Sequence, residues 1–150
     1  MIDKTKQLII ILVVVVISLS IFLFTKIDSK ADEDNGKVCF EDRCFIVEVV
    51  EKEDDRNRGL MYRESLDANK GMLFIFDYAG VYPFWMKNTL IPLDIIWINE
   101  DKEVVYIANA VPCKNDPCPN YDPGKEALYV LEVNAGATDQ INIEKPVRFK

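Results

Sequence analysis

The run Leu93-Asp94-Ile95-Ile96-Trp97-Ile98 constrains this chain most. As a strand it places Leu93, Ile95 and Trp97 on one face, yet Ile96 and Ile98 make the opposite face apolar too. Such a strand is buried on both sides, so the rest of the chain has to supply two layers of cover. It also isolates Asp94 as a carboxylate on a largely apolar face, where it must be paired or hydrogen-bonded.

The remaining pattern is of short strands. Val38 to Phe40 and Cys44 to Glu51 read as a hairpin, and Gly71 to Phe76, Phe84 to Lys87, Glu103 to Val111 and Ala127 to Asn134 read as further strands. Asp, Asn, Gly and Pro separate them, and a last strand follows Pro146. Asp54-Asp55 offers N-cap chemistry for a short helix toward Leu60, which Gly59 weakens or ends. Seven or so strands with one or two short helices predict a mainly β domain, α+β at the margin, over residues 38–150. We expect it to be antiparallel and closed or partly closed into a compact barrel-like form.

Ahead of this domain, Leu8 to Phe24 is seventeen residues with only Ser18 and Ser20 polar. As a helix it spans about 26 Å, close to a hydrocarbon thickness of about 30 Å. Lys4 and Lys6 precede it, and Asp28, Asp32, Glu33 and Asp34 follow. The charge bias puts residues 1–7 in the cytoplasm, 8–25 in the membrane as a transmembrane helix, 26–37 outside as a tether, and the β domain beyond it at the cell membrane. The alternative is a signal segment cleaved near Ser29-Lys30-Ala31, which leaves the domain secreted. With 25 acidic against 18 basic residues the chain is unsuited to nucleic acid.

Four cysteines fall as two C-x4-C pairs, Cys39 with Cys44 and Cys113 with Cys118, in a chain expected to face an oxidising compartment. If Glu41-Asp42 is a two-residue turn, Cys39 and Cys44 are directly opposed, with a short Cα separation that suits a bridge. Local disulfides are the leading reading; a four-thiolate zinc site, or pairing between the two groups, is the alternative. Histidine is absent. Ser-His-Asp and Cys-His catalysis and imidazole-ligated zinc are therefore excluded, and any chemistry falls to carboxylates, Lys87, tyrosines or thioethers.

Arg58-Gly59-Leu60-Met61, Gly71-Met72-Leu73-Phe74, Phe84-Trp85-Met86-Lys87-Asn88-Thr89, Pro92-Leu93-Asp94, Pro119 with Tyr121, and Leu131-Glu132 with Ala135-Gly136 follow one another along the chain. In this order they resemble the signatures of DUF192, a domain of unknown function in exported or membrane-anchored proteins, over roughly residues 38–149. The resemblance implies a compact β-rich domain with a short helix or two and no agreed activity. One departure is that Glu144-Lys145-Pro146 stands where the family usually has a Gly-Asp turn.

Four functional readings follow. The favoured one is non-enzymatic binding of a small polar ligand by Arg58, Trp85, Lys87, Asn88, Thr89 and Asp94, with Tyr121 and Glu132 as further candidates. Against it stands a plain structural role, with Asp94 held by Arg58 or by backbone N–H groups and the aromatics in the core. Met61, Met72 and Met86 suggest a Cu(I) site of thioethers, although Met more often fills gaps in cores. Asp94 and Glu132 could form an acid and base pair for glycoside-type hydrolysis if they converge. Last, the proline-rich loop from Cys113 to Gly124 could dock on an envelope protein, or simply be a crossover held shut. No cofactor is expected.

Overall fold

The computed structural model describes residues 35–41, 43–140 and 146–150, with residues 3 and 13 ahead of them. Apart from Val13, the expected spanning segment 8–25 lies outside the described residues, as do the tether up to residue 34 and the Glu144-Lys145 part of the last turn. Among the described residues no helix is long and apolar enough to cross a membrane.

Among the described residues nine strands follow in order: β1 Asn35–Phe40, β2 Arg43–Val50, β3 Lys70–Gly80, β4 Phe84–Trp85, β5 Leu93–Ile98, β6 Val104–Ala110, β7 Asn120–Tyr121, β8 Ala127–Asn134 and β9 Arg148–Phe149. A short α-helix, α1 (Glu53–Arg58), lies between β2 and β3, and a 3-10 turn covers Thr138–Gln140. Seven strands form one sheet in the order β6-β5-β8-β3-β2-β1-β9, while β4 and β7 form a separate two-stranded ribbon. The domain is thus mainly β, as expected, a curled half-barrel with one short helix.

The hairpin β1–β2 brings Cys39 directly opposite Cys44. Their Cα atoms are 4.0 Å apart and the two are joined, as are Cys113 and Cys118. Non-hydrogen-bonded antiparallel pairs have the shorter Cα spacing, so the bridge staples the turn. One expectation is corrected: β2 and β3 run parallel, with Ile46 opposite Lys70 and Val50 opposite Phe74. The reason is the connection. Residues 51–69 contain α1, and a crossover of that length carries the chain back to the start of a neighbouring parallel strand, which no tight turn can do.

The strand read as buried on both faces is so. All six residues of β5 are buried. Leu93, Ile95 and Trp97 pack with Leu60, Met72, Phe74, Met86 and Val130 on one side of the sheet. Ile96 and Ile98 pack with Phe40, Phe45, Val47, Leu73 and Leu131 on the other. Residues of β2 and β5 can share a cluster although two strands separate them, because the sheet curls and its concave face closes on itself. Each large side chain so buried stabilises the fold by about 1.5–3 kcal/mol. Trp97, wholly buried, still has its indole N–H donate to the Tyr82 carbonyl at 2.8 Å.

The free edge is drawn in at one end. The Val147 N–H, just before β9, donates to the Lys102 carbonyl in the β5–β6 turn at 2.7 Å. The Lys102 ammonium sits 3.6 Å from the Tyr129 ring centroid and 4.7 Å from that of Phe149, so a cation–π clamp joins both ends of the sheet.

Gly71, at the start of β3, has room for no side chain: an added Cβ would stand 2.6 Å from the Glu132 carbonyl oxygen and 3.0 Å from Val133. Backbone cannot yield as a side chain can. Gly71→Ala is therefore expected to destabilise the domain by about 1–3 kcal/mol, seen as a lower midpoint in urea unfolding.

Candidate functional site

Helix α1, Glu-Asp-Asp-Arg-Asn-Arg, has no apolar residue and buries none of its six residues. It lies on the side of the sheet that carries Phe74 and Leu60, without a hydrophobic stripe to hold it there. The capping expected of Asp54-Asp55 is not found. Lys52 is the N-cap and makes no side-chain cap bond, and the two aspartates stand in the first turn, where acids suit the helix dipole. The helix ends at Gly59, whose φ of 47° and ψ of −136° are all but closed to residues with a Cβ. An added Cβ would also come to 3.3 Å from the Phe74 ring. What ties α1 down is Arg56. Its guanidinium donates to the Glu51 carbonyl and, at 3.1 Å, to that of Ile75, and it lies 5.1 Å from the Phe76 ring centroid.

Against α1 is a small, half-open chamber of about 30 Å³, lined by Leu60, Phe74, Phe84, Trp85, Thr89 and the Arg56–Met61 stretch, with Glu132 among its lining residues. Glu132 sits on β8 between Met72 of β3 and Ile95 of β5, its cross-strand partners, so both flanks are apolar. Only 5% of the residue is exposed, and its Oε2 atom has no hydrogen-bond partner among the described residues. Burial pushes its carboxyl up to about 8, because the charged form loses its hydration and gains nothing in exchange.

The chamber adjoins two open clefts. It shares Arg56, Asn57, Phe84 and Trp85 with one of about 460 Å³, further lined by Phe76, Tyr78 and Tyr82. It shares Arg58, Gly59 and Met61 with another of about 340 Å³, which also holds Glu48, Tyr62 and Arg63. In the latter, Arg63 forms a fork with Glu48, both bonds 2.6 Å, and this pairing lowers the Glu48 carboxyl below its usual range. Arg58 has no ion pair among the described residues.

The wall is strained on its outer side. Tyr62 and Asn88 have φ of 64° and 55°, and they hold each other. The Tyr62 N–H donates to the Asn88 carbonyl at 2.9 Å, and the Asn88 amide donates to the Tyr62 hydroxyl at 2.8 Å. Asn tolerates this backbone region, whereas a tyrosine there costs energy that the surrounding bonds must offset.

Of the candidate residues, the structure brings Arg58, Trp85, Thr89 and Glu132 together around the chamber, with Met61. It leaves four others outside it. The Lys87 ammonium turns to Asp116 at 3.5 Å and to the Trp85 ring. Asn88 serves the Tyr62 bridge. Tyr121 pairs with Phe84 across the β4–β7 ribbon, its hydroxyl oxygen accepting from the Val111 N–H at 3.1 Å. Asp94 is held, though not by Arg58. The Asn109 amide donates to Oδ1 at 2.7 Å, and the Thr138 N–H and hydroxyl donate to Oδ2 at 2.9 and 2.8 Å.

The acid and base pair is also corrected. Glu132 is opposite Ile95, and Asp94 is opposite Val133, so strand alternation puts the two carboxyl groups on opposite faces of a buried sheet. Met72 and Met86 are core residues of one cluster, while the Met61 sulfur lies 4.0 Å from the Asn88 amide nitrogen. Arg56 and Asn57 were missed as lining residues. The signal was there in a six-residue helix without one apolar position, which cannot be packed for its own sake.

Asp94→Ala would strand the Thr138 and Asn109 donors, and a loss of about 3 kcal/mol is expected in urea unfolding. Glu132 acts oppositely. The unfolded chain releases its proton near the ordinary value of 4.5, whereas the folded protein holds it to about 8. Between these values the folded state binds the extra proton, so the stability present below pH 4.5 is lost as pH rises to about 8. Glu132→Gln removes this loss. We expect the variant to match the parent near pH 4.5 and to exceed its unfolding free energy by on the order of 2 kcal/mol or more at pH 8.

The DUF192 profile, described as an uncharacterized family, matches residues 37–149. No curated protein matches the chain. Two solved structures are similar. A protein from Sinorhizobium meliloti 1021, described as a candidate transcription regulator, shares 31% identity and a TM-score of 0.66, over 77% of this chain and 91% of its own. A protein of unknown function from Novosphingobium aromaticivorans DSM 12444 shares 31% identity and a TM-score of 0.67, over 77% and 83%. With its motifs, its half-barrel and its profile match in agreement over nearly the whole β domain, this chain belongs to the DUF192 family.

Proposed function

We propose that the protein binds a small polar ligand in the chamber against α1 and the clefts beside it. The observation that carries this reading is Glu132, a buried carboxyl group with an oxygen unpartnered among the described residues, in a chamber that adjoins open clefts. A fold gains nothing from such a group, since an apolar residue of similar size would stabilise it. Destabilising groups of this kind concentrate where a protein meets a ligand. The indole of Trp85, 47% exposed on the rim, supports the same reading.

Binding suits the site better than hydrolysis does, because the other carboxylate on that face of the sheet, Glu48, is separated from Glu132 by Met72 and is taken up by Arg63. The buried methionines are packing groups, which weighs against the Cu(I) reading. Regulation through DNA contact, as the description of one relative would suggest, sits poorly with a net charge of −7. We place the domain outside the cytoplasm, held at the membrane by residues 8–25, on the charge bias around that apolar run and the two disulfides.

The test is a titration of the full chain in detergent with neutral sugars, amino-acid amides, short carboxylic acids and amines, followed by NMR. The Trp85 indole and Gly59 amide signals should shift with at least one class in the parent and stay still in Glu132→Leu, which removes the carboxyl group from the chamber. Silence at both signals with every class, or identical shifts in the variant, would refute the site.

A further inference from the structure

Resting on that reading of the chamber, we infer that its ligand is a monocarboxylate with an uncharged body, the carboxylate entering the chamber between Glu132 and Arg58. One ligand oxygen accepts a hydrogen bond from the Glu132 carboxyl, and the other meets the Arg58 guanidinium. The body lies in the cleft beside Trp85, Phe76 and Tyr78.

Two arginines line the chamber and a third lines the cleft beside it, and two of the three are engaged. Arg63 is held by the fork to Glu48, and Arg56 gives its guanidinium to backbone carbonyls. Arg58 lines the chamber and has no ion pair among the described residues. A guanidinium so placed is suited to a planar carboxylate.

The charges around Glu132 point the same way. On the sheet it is flanked by Met72 of β3 and Ile95 of β5, and the chamber is lined further by Phe74, Trp85 and Thr89 and, from α1, by Arg56 and the exposed Arg58. Every other charged group lining the chamber is thus a cation, which repels an ammonium head and attracts an anion. A neutral Glu132 adds a donor, and an O–H bond to a carboxylate is of the strong, charge-assisted kind. An acid, an arginine and one carboxylate leave the chamber with no net charge beyond that carried by Arg56. Its volume of about 30 Å³ takes a head of a few atoms and no more.

The outer clefts limit the rest of the molecule. Glu53 and Asp77 line one, and Asp55 and the paired Glu48 line the other. A second carboxylate on the ligand would meet these acids, whereas an uncharged and partly aromatic body meets Phe76, Tyr78 and Trp85.

The experiment uses three probes with one body, 3-phenylpropionate, 3-phenylpropionamide and 3-phenylpropylamine, titrated into the full chain in detergent at pH 6 and pH 9. The acid should bind at least tenfold more tightly than the amide or the amine at pH 6. It should weaken about tenfold by pH 9, where about one Glu132 in ten keeps its proton. Glu132→Gln, which still donates, should keep the preference and lose the pH dependence, and Arg58→Gln should bring the acid down to the level of the amide. Equal binding of the amide or amine at Trp85 and Gly59, or an acid affinity unchanged between the two pH values, overturns the carboxylate class and leaves the binding site standing. No shift at Trp85 or Gly59 with any of these probes overturns the carboxylate class, and silence with the wider set of neutral sugars, amides, acids and amines as well overturns both.

Discussion

A sheet whose central strands are buried on both faces has no neutral place for a carboxylate. In this fold β5 and β8 lie side by side in that position, and each carries one. Asp94 faces the side on which Ile96 and Ile98 pack, and Glu132 faces the side of Ile95. Their environments are alike in depth and opposite in hydrogen bonding. Asp94 accepts from Asn109 and twice from Thr138, which ties β5 to β6 and to the turn after β8. Glu132 keeps an oxygen unpartnered among the described residues. The first is a strut. The second costs stability.

Away from Glu132, the side of the sheet it faces is sealed by Leu60, Met86 and the β4–β7 ribbon, which the Cys113–Cys118 bridge and the Cys113 N–H bond to the Met86 carbonyl hold in place. Over Glu132 the cover is α1, a helix with no buried residue and Arg56 as its main tie to the sheet. Elements with few apolar contacts are those that open at least cost in free energy. The strained backbones of Tyr62 and Asn88 beside it belong to the same region. Rigid walls under a weakly held polar cover are what a ligand chamber requires.

The hairpin, the doubly buried strand and the staple at Cys39 were legible because each depends on neighbours in sequence: alternation along a strand, or two residues of turn. The parallel pairing of β2 and β3 was not, since it depends on where a crossover of many residues comes down. β7, two residues long, has no period to read. For the site, the sequence pointed to the right segments but did not sort them. Trp85 and Lys87 are two apart and should share a face of an extended chain, yet β4 ends at Trp85, and Lys87 turns away to Asp116.

What the sequence by itself determined is the kind of protein: an acidic, histidine-free β domain with two local disulfides, a strand covered on both sides, and the signatures of its family. These follow from periodicity, composition and spacing, which are properties of the chain. What only the tertiary structure decided is which carboxylate matters. Asp94 and Glu132 look alike in sequence, each a lone acid among apolar strand residues, and Asp94 stood out more. Whether a buried charge is satisfied depends on donors far along the chain. Those of Asp94 come from Asn109 and Thr138, fifteen and forty-four residues away, and none among the described residues reaches the Oε2 of Glu132.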